Sequence, residues 1–290
     1  MKTLALLLGT LMLSGVVSAG PPAAPTSPTD PYAEVLRTFV DSRGMVDYQG
    51  LKSSPEALNT YLAYVSTVSE QTISQWSDAD KIAFWINAYN GLTLRAILDH
   101  YPIKSSFFRS LTYPKNSIRQ IPGVWKKLKF TVHNRPMTLE HIEHEILRAQ
   151  FNEPRIHLAL VSAAKGCPPL RNEPYTGQSL DTQLNDQTVT FLADRDKFKI
   201  DRKEGIVYLS SIFKWFGKDF VATYAPPQNV GDLDQTLSAV MNYLTTHADA
   251  LFKPYLYRGH YKVKYIKYDW SLNEQSGPET QPHPGDPFFD

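Results

Sequence analysis

One stretch, Ile82-Ala83-Phe84-Trp85-Ile86-Asn87-Ala88-Tyr89, constrains the fold of this chain more than any other. It lies in a helical pattern from about Asp78 to His100 and is apolar on nearly every side. A helix without a polar face has to be enclosed by other elements. Its start is written locally. Ser77 is placed to cap the free N–H groups, and Asp78 and Asp80 suit the positive end of the helix dipole. Tyr101-Pro102 ends it.

The enclosing elements are legible as patterns. Apolar residues at helical spacing predict helices over Tyr32 to Val40 and Pro55 to Val68. Thr138 can cap a helix from Leu139 to about Ala149, and Ser210 one from Ser211 to Gly217. Ser179 to Ala193 and Asp232 to Thr246 also read as helices. Lys129 to His133 predicts a strand turned by Asn134-Arg135-Pro136, and Arg155 to Val161 is β-compatible. Gly205 to Leu209 and Tyr261 to Lys267 are further strands. Helices outnumber strands and no steady βαβ alternation exists, so the expected class is α+β, a helix-rich single domain with a small sheet.

The two ends carry a different composition. Lys2, the apolar run Leu4 to Val17 and the small residues Val17-Ser18-Ala19 make the three parts of a secretory signal, with cleavage expected after Ala19. That run is shorter than the roughly 20 residues a transmembrane helix needs. Residues 20–31 are a Pro-rich linker, and residues 274–290 repeat that composition as a disordered tail. The globular domain is expected over 32–273, in the periplasm or secreted, without a membrane span. Formal net charge is +1 with acids and bases mixed, which gives no basic face for nucleic acid. The lysines Lys262, Lys264 and Lys267 suit a solvated strand face.

Several long motifs resemble one family. They are Phe84-Trp85-Ile86-Asn87-Ala88-Tyr89-Asn90, Ile142-Glu143-His144, Arg155-Ile156-His157, Lys165-Gly166-Cys167-Pro168-Pro169-Leu170-Arg171, Ile212-Phe213-Lys214-Trp215 and Tyr268-Asp269-Trp270-Ser271-Leu272-Asn273. Together, over about residues 75 to 273, they resemble the domain-of-unknown-function family number 547. The resemblance implies a domain found alone in exported bacterial proteins and within larger eukaryotic chains. It also implies a distant likeness to the papain and transglutaminase type of thiol-enzyme fold. Ser162 stands where relatives often carry a second cysteine, which argues against a two-thiol redox mechanism. Glu145 stands where glycine is common.

Cys167 is the only cysteine, so no internal disulfide can form. It sits in a Gly-Pro loop between Lys165 and Arg171, cations that favour the thiolate a nucleophile needs. The Gly166 N–H could face a developing oxyanion. The alternative is a small buried cysteine that packs as a hydrophobe. A nucleophilic thiol needs a base. If residues 157–163 are extended at about 3.3 Å each, they put His157 about 20 Å from the loop, which favours His144, on a separate helix, as partner. Glu143 and Asn87 could then orient it. Asn90 shares a helix face with Asn87, and buried amides of this kind more often buttress backbone. His157 is then structural. A metal reading would use His141 and His144 with His157 or Glu145, but no zinc motif is present, and no metal or cofactor is expected. The expected function is a thiol-dependent acyl-transfer or amide-hydrolysing enzyme of the cell envelope, acting on an unknown substrate or envelope partner. The competing expectation is a non-catalytic binding module in which Cys167 and the histidines only hold the fold.

Overall fold

The computed structural model describes residues 28–276. The signal segment, most of the Pro-rich linker and residues 277–290 lie outside the described residues. The fold is α+β and helix-rich, with a two-stranded and a three-stranded sheet among the described residues.

The apolar helix runs Asp78–Leu98, with the Ser77 hydroxyl accepting from the Asp80 N–H at 3.1 Å. It is buried on all sides. Helix Glu56–Thr67 packs against it, and helix Asp30–Phe39 packs on Glu56–Thr67 through the stacked rings of Tyr32 and Tyr61 at 4.5 Å. Phe84 meets Trp76 and Trp85 edge-on at 5.3 and 5.0 Å. Gly91 allows this closeness, because a Cβ there would lie 3.0 Å from the Tyr61 ring. This is the larger of two cores.

The second core gathers the other half of the chain. Strand β3 (Phe198–Asp201) pairs antiparallel with β4 (Ile206–Ser210), which pairs parallel with β5 (Lys262–Ile266). Before them in the chain, β1 (Phe130–Val132) and β2 (Arg135–Met137) form a hairpin on the first core, numbered here in chain order. Helix Gln235–His247, capped by Asp234, packs its buried Tyr243 on Phe220, which in turn meets Phe213. Lys262, Lys264 and Lys267 are exposed. Among the described residues no helix is long and apolar enough to cross a membrane.

Four expectations are corrected. Arg155 to Val161 is not a strand but contains a 3-10 helix, Pro154–Leu158. Pro154 opens it and the Glu153 carboxylate accepts from the Arg155 N–H at 3.1 Å. Those helix-start signals outweigh the apolar alternation. The hairpin turns at His133 and Asn134, both at positive φ, so Arg135 and Pro136 are strand residues rather than turn residues. The helix after Thr138 is a π-helix over His141–Leu147, followed by one turn Arg148–Gln150. The domain also extends past Asn273, since Glu274 bridges to Val46 and the Gln275 N–H donates to Val46 O at 2.9 Å.

The two cores meet along a seam. Ile156, Ala159 and Leu160 pack in the first core, Leu158 in the second, and the Tyr268 ring touches both. His157 therefore stands at the junction, which is where the candidate site lies.

Candidate active site

The Cys167 loop is shaped by its backbone. The Cys167 N–H donates to Ala164 O at 3.0 Å, and Ala163, just before that turn, takes a left-handed φ of 52°. A non-glycine residue rarely adopts that conformation, and such strain concentrates at functional sites. The turn brings the Ser162 N–H to 3.1 Å from Cys167 Sγ, and the Ser162 hydroxyl also to 3.1 Å. From across the seam, Tyr268 Oη reaches Sγ at 2.9 Å. Burial, together with the thiol beside it, raises the Tyr268 phenol far above its usual range, so it keeps its proton and can donate. Sγ is thus cradled by one amide and two hydroxyls, and Cys167 is only 3% exposed.

The loop is clamped from outside. The Lys165 N–H donates to Ser271 O and the Gly166 N–H to Asp269 O, both at 2.8 Å, and Ala164 bridges to Leu272. The Gly166 N–H is therefore taken and does not face an oxyanion, a correction to the sequence reading. Gly166 serves packing instead, because a Cβ would meet the Asp269 nitrogen and the Tyr268 ring at 2.9 Å. Arg171 is turned away from the thiol. It pairs with Glu173, donates to Gln183 O and lies over the Tyr175 ring. Lys165 is exposed.

Two cavities share the thiol's wall. One of about 240 Å³ is lined by Cys167, Ser162 and Tyr268 on one side and by Glu143, His144 and His157 on another. The other, about 800 Å³, is lined by Cys167, Lys165, Tyr268 and charged side chains, with no histidine. The smaller cavity is the candidate site. It collects both candidate histidines, Glu143 and the thiol from distant parts of the chain. No hydrogen bond joins Sγ to either imidazole.

The histidines differ in how they are held. His144 Nδ1 lies 2.8 Å from Arg148 Nη1. A guanidinium only donates, so Nδ1 accepts and the neutral ring carries its proton on Nε2. Burial, then Arg148, holds His144 below the usual histidine range. His157 is buried, stacked on Phe216 at 4.0 Å, with Nε2 at 2.8 Å from Asp219 Oδ2. Asp219 also receives Arg148 in a fork, at 2.6 and 2.8 Å. Burial alone would raise the Asp219 carboxyl, but the Arg148 and His157 bonds outweigh it and hold it well below the carboxylate range. Burial, with the Arg148 and His144 charges, lowers His157 by more than Asp219 raises it. The pair is thus a neutral imidazole donating through Nε2 to an ionised carboxylate, whose charge is met by Arg148. Nδ1 is left with the lone pair. The orienting carboxylate expected for His144 belongs to His157.

Glu143 reaches the cavity from the π-helix, a distortion that recurs at functional sites. Tyr89 Oη lies 3.5 Å from its carboxylate. Burial, opposed by Arg148 and Tyr89, pushes its carboxyl up to about 7. Asn90 acts one layer out. Its amide donates to Ala159 O at 3.0 Å and accepts from the Val161 N–H at 2.9 Å, fixing the strip between His157 and Ser162. Asn87 closes the same two-way bond on the Tyr175 backbone, at 2.8 and 2.9 Å, away from the thiol. His141 and Glu145 are exposed, and among the described residues no three His, Cys, Asp or Glu side chains converge on one point.

Sequence reasoning missed Asp219, Tyr268 and Ser162 as members of this site. Tyr268 lay within a quoted motif, but nothing local marked its hydroxyl.

Residues 73–192 match the model of a family described as a protein of unknown function, DUF547, which bears out the resemblance over that stretch. The matched stretch carries Glu143, His144, His157 and Cys167, whereas Asp219 and Tyr268 lie beyond it. Comparison with curated proteins and with solved structures gives no match.

Proposed function

We propose that this chain is an exported thiol enzyme of the cell envelope that transfers or hydrolyses acyl groups, with Cys167 as nucleophile and the His157–Asp219 pair as its base. The observation that carries this reading is the shared 240 Å³ cavity, which has Sγ on one wall and an aspartate-oriented imidazole on another. Asp219 fixes the tautomer that leaves Nδ1 basic, as a general base requires. The Cys167 proton crosses to Nδ1 through a water in the cavity, and Sγ attacks the acyl carbon. The carbonyl electron pair moves to its oxygen, towards the hydroxyl of Tyr268 or the Nε2–H of His144. Collapse expels the leaving amine or alcohol, which takes the proton back from His157. Water or another nucleophile then releases the acyl group. Export rests on the segment Lys2 to Ala19, and a mature chain beginning at Gly20 is the mass expected after secretion.

The binding-module reading has its own support, since every hydrogen bond to Sγ comes from Ser162 or Tyr268. Alkylation by iodoacetamide separates the two. An enzyme labels Cys167 in the native state near pH 7, and His157→Gln slows labelling at least about tenfold while His144→Gln leaves it nearly unchanged. Labelling that needs denaturant, and is indifferent to His157→Gln, would leave the binding module.

A further inference from the structure

We infer that Arg119 is the recognition site for a carboxylate on the ligand of the thiol cavity. The side chain lines that cavity together with Cys167 and Glu143. Its guanidinium carbon lies 4.3 Å from the Trp270 ring centre, 4.7 Å from Tyr113 and 5.4 Å from Trp125. Three ring faces therefore surround the cation, a geometry in which guanidinium–aromatic attraction is substantial. The donor edge is unspent. Nε is buried with no hydrogen-bond partner. The Glu140 carboxylate on the same cavity wall is taken by Lys126 at 3.0 Å. Among the described residues no acid pairs with Arg119. A buried donor left unmatched is costly, and a carboxylate arriving with the ligand would match it.

The backbone carrying Arg119 is fixed. The Ser117 hydroxyl accepts from the Arg119 N–H at 3.2 Å, and Arg109 donates to Gln120 O at 2.9 Å. The buried Gln120 amide ties this turn to Ser106 and Pro114. The fork is thus held still, and a planar two-oxygen anion matches its spacing where a lysine would offer only a point charge. The path to the thiol is short: Trp270 packs on Tyr268 at 4.5 Å, and Tyr268 Oη touches Sγ. Given the reading of Cys167 as nucleophile, on which this assignment of substrate class rests, the acyl compound carries a carboxylate two rings away from its reacting carbon.

Binding tests this without any turnover. The probes are 3-phenylpropionate and its neutral isostere 3-phenylpropionamide, titrated at pH 6 into the full chain and into Cys167→Ser. Binding is read by calorimetry and by the fluorescence of Trp125 and Trp270. The carboxylate should bind at least tenfold tighter than the amide to both proteins, and Arg119→Gln should remove that preference without shifting the melting temperature by more than a few degrees. Equal affinity of acid and amide, no binding of the acid at about 10 mM, or a preference that survives Arg119→Gln would overturn the assignment. An intact preference in a protein whose thiol fails the alkylation test keeps the anion site and removes the enzyme. Fast alkylation with no preference does the opposite.

Discussion

The two walls of the cavity are built by opposite means. On the cysteine side nothing that touches Sγ is charged. An amide, two hydroxyls and a strained turn do the holding, and the segment Tyr268–Asn273 keeps the turn in place. On the histidine side the frame is ionic, with Asp219 between Arg148 and His157. Neutral donors hold position at almost any pH and tolerate small changes of chemistry. An ion network holds more tightly but depends on each partner, because removing one leaves the others buried and unmatched. The difference teaches where each kind of damage will register.

The largest effect should come from breaking the ionic wall. Asp219→Ala strands Arg148 and leaves the His157 Nε2–H without an acceptor. It should cost about 2–3 kcal/mol in denaturant unfolding, discounted from fully buried pairs because Asp219 and Arg148 are partly exposed. It should also slow alkylation of Cys167. A loss under about 0.5 kcal/mol would show that the network contributes little.

Glu143 gives a pH signature of intermediate size. Unfolded, its carboxyl titrates near 4.5, and in the cavity near 7. Between those values the folded protein holds a proton that the unfolded chain has released. Stability therefore falls as pH rises from about 4.5 to 7 and is level above. His157, held below the usual histidine range, works the other way: its contribution is present above about 6.5 and is lost as pH falls. The difference between parent and Glu143→Gln isolates the first effect. The variant should gain about 2–3 kcal/mol relative to the parent between pH 5 and pH 8. A flat difference would mean that water reaches the carboxylate freely.

The smallest effect belongs to the neutral wall. Cys167→Ser keeps a group that can accept from Ser162 and Tyr268, so it should change stability by about 1 kcal/mol or less while removing iodoacetamide labelling entirely. A loss above about 3 kcal/mol would mark the sulfur as a packing element and favour the binding module.

The sequence made some of this visible. Ser77, the two aspartates after it and the unbroken apolar face located the central helix to within two residues of its end, because each signal is local. The cysteine loop was legible from its glycine and prolines for the same reason. The base was not. Residues 155–161 look like a strand when only their side chains are counted, and the Glu153 cap and Pro154 decide otherwise. That one misreading stretched the chain on paper and excluded His157. Asp219 lies 62 residues from His157, and Tyr268 lies 101 residues from Cys167, so no spacing rule could join them. The π-helical register that carries Glu143 and His144 into one cavity leaves no mark in a pattern of 3.6.

The clamp on the cysteine loop also sets an order in time. Residues 163–167 are made early, but their hydrogen-bonding partners are residues 269–273 and the Tyr268 hydroxyl. Until those have emerged and docked, the turn at Ala163 has little to hold it and the thiol has no cradle. Contacts over that separation close late in folding. A chain cut short before Tyr268 would own every residue of its family-matched stretch and still lack the cradle around Cys167, so that cradle is assembled only after residues 268–273 have been made.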